Sequence, residues 1–250
     1  MSSDVRPRTR HLPADVRAGA TVERWLREGG PAALAWRFAQ SVAGRALFDT
    51  PLFRLPESYG LQADHRVVDV SCGEGALLRV LDSRVRFKVR PLGLDPSAVA
   101  LRKAVAARGE GGVLHFARAS VEALPLADET ADLILCGHLV KYLTDARLLA
   151  FMRDAYRALR PAGALLIWEF APVRDPRLDR WNRCVIARRS PDIRLRSYRQ
   201  LEDLGIRAGF DWLRNPYLRP FLAPPVPRVT ILMGKAAAFD APAAGDHASR

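Results

Sequence analysis

The stretch V-V-D-V-S-C-G-E-G, residues 67–75, decides the reading of the fold. Its first half, inside R-V-V-D-V at 66–70, is a short, β-branched run of strand length. Its second half sets small residues at Ser71, Gly73 and Gly75, which let a backbone turn sharply and approach a ligand closely. From Gly73 to Leu81 the pattern becomes that of a starting helix. Strand, small-residue loop and helix together are the first unit of a parallel sheet.

The same alternation continues downstream. Val89–Leu94 reads as a second strand weakened at its start by Pro91, and Ser97–Arg108 as a helix stopped by Gly109. Val113–Ala117, Ala131–Cys136 and Gly163–Phe170 are the third to fifth strands, with helical spacing over Asp145–Leu159. Tyr198–Ala208 is a helix closed by Gly209. Phe210–Arg219 and Val226–Met233 then follow without an intervening helix, which implies an antiparallel hairpin. Helical pieces at Asp15–Glu28 and Ala32–Phe48 precede the first strand. The expected fold is α/β: a Rossmann-like, doubly wound sheet, mostly parallel, with a C-terminal antiparallel hairpin and N-terminal helices. Residues 1–60 are expected to form a helical addition or lid, 61–236 the main domain, and 237–250 a disordered tail.

Composition bounds the function classes. A chain of 250 residues, 49% hydrophobic and 26% charged, builds one large α/β core rather than two full domains. No apolar run approaches the roughly 20 residues that span a bilayer. Met1 to Arg10 is basic without a following apolar segment, so a cytoplasmic protein without a secretory signal is expected. Cys72, Cys136 and Cys184 are odd in number and widely spaced, which suits reduced thiols and no metal site. The net charge of +12 suggests an anionic partner, yet lysine occurs only at 88, 103, 141 and 235. Arginine-rich composition of this kind also follows from GC-rich codon bias. Between Arg180 and Arg199 seven arginines face one acid, Asp192; the run is either a solvated face or an anion- or lipid-facing surface.

Ligands of open parallel sheets lie beyond the carboxyl ends of the strands. About twenty residues after the first loop, the second strand ends in G-L-D, with Asp95 where an acid grips a ribose diol. A dinucleotide site would use G-x-G-x-x-G and a helix N-terminus facing pyrophosphate. This loop lacks that spacing and carries Asp69 and Glu74, which repel pyrophosphate but suit an ammonium or sulfonium group. A nucleoside with a positive tail fits, and S-adenosylmethionine (SAM) is such a molecule.

From Leu61 to Phe170 the chain also resembles the class I SAM-dependent methyltransferases, in particular the small-molecule and quinone type. V-V-D-V-S-C-G-E-G is similar to their first motif, D-x-G-x-G-x-G, and L-G-L-D-P-S-A-V-A-L to their second strand and helix. A-R-A-S-V-E-A-L-P-L-A-D-E-T-A-D-L-I-L-C-G-H-L-V-K-Y-L, residues 117–143, resembles the segment that contacts adenine. R-A-L-R-P-A-G-A-L-L-I-W-E-F, residues 157–170, resembles R-x-L-x-P-G-G and the fifth strand. The resemblance implies that Asp69 approaches the methionine amine, directly or through water. It implies that the backbone of Ser71, Cys72, Gly73, Glu74 and Gly75 lines the methionine and ribose. Asp95, followed by Pro96, would hold the ribose, Ser120 and Val121 would border the adenine, and Gly137 to Lys141 would face the methyl. Three residues depart from the family pattern: Ser71 and Ala162 stand where glycines are usual, and Ser120 where an acid is usual.

Methyl transfer demands alignment above all, and a base only where the acceptor carries a proton. His138, on the loop after the fourth strand, is the candidate base; a histidine that merely packs there is the alternative. His115 reads as a core histidine of the third strand, Tyr142 as a core contact, and Cys72 as a small packing residue rather than a nucleophile. Glu169 ends the fifth strand, and strand alternation leaves its direction open. Aromatics at Trp25, Trp36, Phe38, Phe48, Phe53, Trp181, Tyr198 and Asn215–Leu222 pack helices or cover an apolar acceptor. The expected activity is SAM-dependent methyl transfer to oxygen or nitrogen of a small, aromatic or anionic acceptor. The alternatives are an RNA or protein methyltransferase, disfavoured by the lack of an RNA-binding module, and a SAM-binding relative that does not methylate.

Overall fold

The computed structural model describes residues 20–41 (22 and 26 excepted), 55–108, 114–186, 192–216 and 228–237. Helical residues between 20 and 28, then α1 (Gly30–Gln40) and α2 (Leu55–Tyr59), precede the sheet. There follow β1 (Val67–Val70), α3 (Ala76–Val85), β2 (Leu92–Asp95), α4 (Ala98–Ala107), β3 (His115–Arg118) and β4 (Ala131–Gly137). After a short 3-10 turn at Val140–Tyr142 come α5 (Asp145–Ala158), β5 (Leu159–Phe170), α6 (Pro176–Ile186), α7 (Tyr198–Ala208), β6 (Trp212–Arg214) and β7 (Arg228–Gly234). The parts of the expected elements at 15–19, 42–48, 109–113, 217–227 and 238–250 lie outside the described residues.

The strands make one seven-stranded sheet in the order β3-β2-β1-β4-β5-β7-β6. The first five pair in parallel; β7 runs antiparallel between β5 and β6. This is the expected doubly wound sheet with its antiparallel finish. Successive side chains of a strand point to opposite faces, and both faces are covered, which explains the unbroken apolar runs. Val68, Val70, Ile134, Cys136, Leu165 and Ile167 pack with Leu148, Phe151 and Met152 of α5 and Leu201 of α7. On the other face Val67, Leu133, Leu135, Leu166 and Trp168 pack with Leu77, Leu78 and Leu81 of α3.

Local chemistry sets the boundaries. Gly73 and Gly75 both have positive φ (56° and 71°), so α3 starts at Ala76, three residues later than the sequence pattern suggests. Ser97 and Thr144 cap α4 and α5 by accepting from Ala100 N and Arg147 N, and Ser197 with Gln200 forms a capping box on α7. β2 begins only after Pro91, which has no N–H to give the ladder. β5 begins four residues earlier than expected. Leu159 pairs with Ala131, the strand bulges, and pairing resumes at Leu133 with Ala164. At that bulge a Cβ on Gly163 would lie 2.9 Å from the Arg160 carbonyl oxygen and 3.0 Å from that of Ala131, so only glycine fits.

Two expectations are corrected. His115 is exposed rather than in the core, because β3 is an edge strand; its Nε2 lies 2.9 Å from Arg90 Nη1. Helix α6 was not anticipated within the arginine-rich stretch. Its signal is Asp175-Pro176: the Asp175 carboxylate accepts from the N–H groups of Arg177 and Leu178, and proline opens the first turn. Among the described residues no helix is long and apolar enough to cross a membrane.

Candidate active site

The strand order reverses between β1 and β4, and the loops leaving their carboxyl ends frame the crevice where open α/β sheets bind ligands. In the loop after β1, Ser71 has φ 70°, Gly73 56° and Gly75 71°. Ser71 N and Cys72 N both donate to the Leu94 carbonyl, at 2.7 and 3.0 Å, and fasten this loop to β2. A Cβ placed on Gly73 or on Gly137, across the crevice, would meet nothing within 4 Å. Both backbones therefore face open space. Gly75 and Gly93 differ: a Cβ on either would lie 2.6 Å from the Phe116 ring, so they are small for packing.

Asp95 ends β2 and is buried. One carboxylate oxygen accepts from Gly73 N at 2.9 Å and the other from Ser97 N at 2.8 Å. Each oxygen has a second lone pair, so two hydroxyl donors can still be received. Burial raises the Asp95 pKa; the Ser97 and Gly73 N–H groups work against that rise, and the charge of Glu23 adds to it. Glu23, from the N-terminal helical residues, accepts from Ser97 Oγ at 2.6 Å. Beside it a cavity of about 330 Å³ is lined by Glu23, Arg27, Arg37, Val99 and Lys103.

The other cofactor candidates fall around this crevice in different ways. Asp69 is buried in β1 beneath the loop. Glu74 pairs with Lys103 Nζ at 3.0 Å, so part of the negative charge expected to face a sulfonium is answered within the protein. The Pro96 carbonyl accepts from Arg118 Nε at 3.0 Å. Ser120 is exposed, its Oγ accepting from Glu122 N at 3.3 Å, and Val121 is buried. Cys72 is 3% exposed, and burial, with Asp69 and Asp95 nearby, pushes its thiol far above the usual range, which suits packing and not nucleophilicity.

Beyond β4 and β5 lies a charged cluster that the sequence scattered. His138 is held at φ 58° and its N–H donates to the Trp168 carbonyl at 2.9 Å. Its Nδ1 sits 3.7 Å from Glu169 Oε1, and its ring lies 4.9 Å from that of Phe170. Lys141 and Glu169 are each 1% exposed. Lys141 Nζ donates to Glu169 Oε1 at 3.2 Å and also to the His138 carbonyl, while Lys141 N donates to Oε2 at 3.1 Å. Burial alone would raise the Glu169 carboxyl; the Lys141 ammonium, with His138 and the Phe170 N–H, overcomes this and holds it at about 2. Glu169 is thus a fixed anion beneath His138. On the neighbouring strand Arg228, paired in register with Phe170, places its guanidinium carbon 3.9 Å from the Phe170 ring centre.

The arginines of 180–199 do not form one face. Arg183 pairs with Asp179 at 2.6 Å, and Arg180, Arg194 and Arg199 are exposed. Arg196 is buried, where it donates to the carbonyls of Val140 and Leu143, at 2.8 and 2.6 Å, and to Asp145. It ties the segment before α7 to the turn that carries Lys141. Arg188 and Arg189 lie outside the described residues. Among the described residues, no group of three or more His, Cys, Asp or Glu side chains could hold a metal ion.

Residues 67–163, from β1 to the bulge of β5, match a family model described as a methyltransferase domain. Over that stretch the chain is similar to methyltransferases. It is 27% identical over 140 residues to an uncharacterized methyltransferase of Bacillus subtilis, YcgJ, covering 52% of this chain and 53% of that one. The crystal structure of YcgJ superposes with a TM-score of 0.59 at 17% identity, covering 75% of this chain and 99% of that one. The ubiquinone/menaquinone biosynthesis C-methyltransferase UbiE of Vibrio vulnificus is 31% identical over 121 residues, 47% of this chain and 46% of UbiE. A Haemonchus contortus phosphoethanolamine N-methyltransferase solved with SAM has a TM-score of 0.54 at 19% identity, covering 67% of this chain and 38% of that one. At that identity the structural likeness concerns the fold alone. The chain spans about half the length of the curated relatives it matches. Ser71 and Ala162, where the resemblance leads one to expect glycines, both have positive φ (70° and 65°), a conformation that glycine adopts most readily.

Proposed function

We propose that the protein transfers a methyl group from SAM to a small acceptor that carries an ionisable proton. The observation that carries this reading is the convergence, at one crevice, of the open Gly73 and Gly137 backbones, the Asp95 carboxylate and the His138–Glu169 pair. When bound, SAM supplies an electrophilic methyl group. Asp95 receives the ribose hydroxyls on its remaining lone pairs, the Ser71–Gly75 loop lines the methionine portion with Asp69 beneath it, and Val121 and Ser120 border the adenine. Cys72, Glu74, Pro96 and Gly137 complete the cofactor-binding set, with Glu74 acting mainly through its pair with Lys103. Within the expected N-terminal addition, the described helical residues around Glu23 act as a lid over this end of the site, a role supported by the Glu23–Ser97 contact beside Asp95.

His138 takes the acceptor's proton. Glu169 Oε1 lies 3.7 Å from Nδ1, which favours the tautomer with hydrogen there and leaves Nε2 to accept. Oxygen or nitrogen of a metabolite is the favoured acceptor. A second reading, methylation at carbon, is supported by the UbiE relatives, which are C-methyltransferases, and uses the same base. The test is calorimetric titration with S-adenosylhomocysteine, followed by product formation from SAM across hydroxyl, amine and phenolic acceptors. Micromolar binding lost in Asp95→Ala, and turnover lost in His138→Asn with binding kept, are expected. A folded protein that binds neither SAM nor S-adenosylhomocysteine would sink the reading.

A further inference from the structure

The cavity of about 330 Å³ beside Asp95 takes its walls from three parts of the chain: Glu23 and Arg27 of the N-terminal helical residues, Arg37 of α1, and Val99 and Lys103 of α4. Small-molecule sites span about 300–1,000 Å³, and this one falls at the lower end of that range. Its charge is opposite to that of the neighbouring crevice. Asp69, Glu74 and Asp95 make the crevice acidic, whereas three cations and one acid line the cavity. A sulfonium is repelled there, and an anion is drawn in.

The four charges are committed to different degrees. Glu23 accepts from Ser97 Oγ at 2.6 Å. Lys103 Nζ donates to Glu74 at 3.0 Å and keeps two of its three N–H donors. Among the described residues, the guanidinium groups of Arg27 and Arg37 make no hydrogen bond or ion pair. Arg27 stands four residues after Glu23, the spacing at which an acid and a following cation pair readily on a helix; Glu23 instead serves Ser97. Two arginines brought to one cavity without a counter-charge repel each other. An oxyanion relieves that repulsion, and the planar guanidinium forks suit it by offering paired donors. Val99 adds an apolar wall against which a carbon skeleton can rest.

We propose that this cavity is a second ligand site, for a small molecule bearing phosphate or carboxylate groups, which Arg27 and Arg37 hold from the N-terminal helices and Lys103 from α4. The bound anion fastens those helices to the sheet at the corner where Ser97 and Asp95 lie. The site stands apart from the methyl-transfer reading, since no group proposed to touch the acceptor takes part in it.

The test is calorimetric titration of the full-length protein with pyrophosphate and with citrate at constant ionic strength, the two probes telling a phosphate site from a carboxylate site. Wild type is expected to bind at least one of them with one-to-one stoichiometry. Arg27→Gln and Arg37→Gln should each weaken that binding about tenfold, the worth of one charge-assisted contact. Lys103→Gln should weaken it as well, because α4 supplies one wall. Arg180→Gln removes the same charge from an exposed arginine of α6 and should leave the binding unchanged. Arg27 and Arg37 are exposed and glutamine is a good helix former, so both variants should keep the wild-type circular dichroism. Absence of binding by both probes, or binding that survives Arg27→Gln and Arg37→Gln, would overturn the site. A loss in Arg180→Gln as large as theirs would overturn it too, by showing attraction to net charge alone. Binding unaffected by Lys103→Gln would refute the clasp onto α4.

Discussion

Replacing Lys141 by methionine leaves the Glu169 carboxylate buried without its ammonium, and the size of the penalty follows from the contacts. Glu169 loses the Nζ contacts at 3.2 and 3.5 Å but keeps the N–H groups of Lys141 and Phe170, at 3.1 and 2.8 Å. Breaking one side of a buried ion pair costs about 3–5 kcal/mol, and the two surviving donors place this case near the lower end, about 3 kcal/mol. The carboxyl held at about 2 instead of an ordinary 4.5 agrees, since that difference corresponds to about 3 kcal/mol. Changing both partners, Lys141→Met with Glu169→Gln, removes both charges and should cost much less than the single changes added together. The pH dependence has opposite signs in the two proteins. In wild type the folded carboxyl lies below its unfolded value, so its stabilisation is complete above about pH 4.5 and is lost as pH falls toward 2. In Lys141→Met burial pushes the carboxyl up, so stability is lost as pH rises through that raised value and regained on acidification. Guanidinium chloride unfolding at about pH 7, about pH 5 and about pH 3, for the four proteins of the cycle, reads both effects. A single-variant loss under about 1 kcal/mol, with the same pH slope in wild type and Lys141→Met, would refute the argument.

Ser71→Gly and Ala162→Gly should each stabilise the fold by about 0.5–1 kcal/mol, because the relief of a left-handed L-residue exceeds glycine's added chain entropy; thermal unfolding checks this, and no gain at either site would count against it. Arg196→Lys should destabilise by about 3 kcal/mol in chemical unfolding, since an ammonium cannot span Asp145 and the carbonyls of Val140 and Leu143 together. Binding of S-adenosylhomocysteine should weaken on acidification at a higher pH than an unperturbed aspartate would give, because the Asp95 pKa is raised and its protonated form accepts fewer hydroxyls. Asp95→Asn should bind weakly with that pH dependence gone, as measured by calorimetry.

Much of the sheet was legible because each strand carries its own evidence. Val67–Val70 and Ala131–Gly137 are unbroken apolar runs, Gly73, Gly75 and Gly209 mark turns, and two strands with no helix between them can only pair antiparallel with their neighbours. Asp95 and His138 could be placed beside the crevice because they sit at strand ends. The ion pair could not, although both residues were noticed. Lys141 and Glu169 stand 28 positions apart, and only the register of β4 against β5, Gly137 opposite Trp168, brings them together. His115 was misplaced because the sequence of a strand does not say whether it will lie at the edge. The left-handed backbone at Ser71, His138 and Ala162 was hidden for another reason: glycine announces such a conformation, whereas serine, histidine and alanine conceal it.

The carboxylate of Asp95 clasps Gly73 N–H and Ser97 N–H, so the lip of β1 and the start of α4 are latched to one another. An arriving nucleoside then meets a surface that has little left to organise. Its encounter should be fast and its residence time should carry the selectivity, as for other rigid sites. Asp95 is also shared property: a substitution there unfastens the latch as well as the ribose contact proposed for it. The loss of affinity in Asp95→Ala therefore measures two things at once, and only a ligand lacking the ribose hydroxyls, bound to the wild type, separates them.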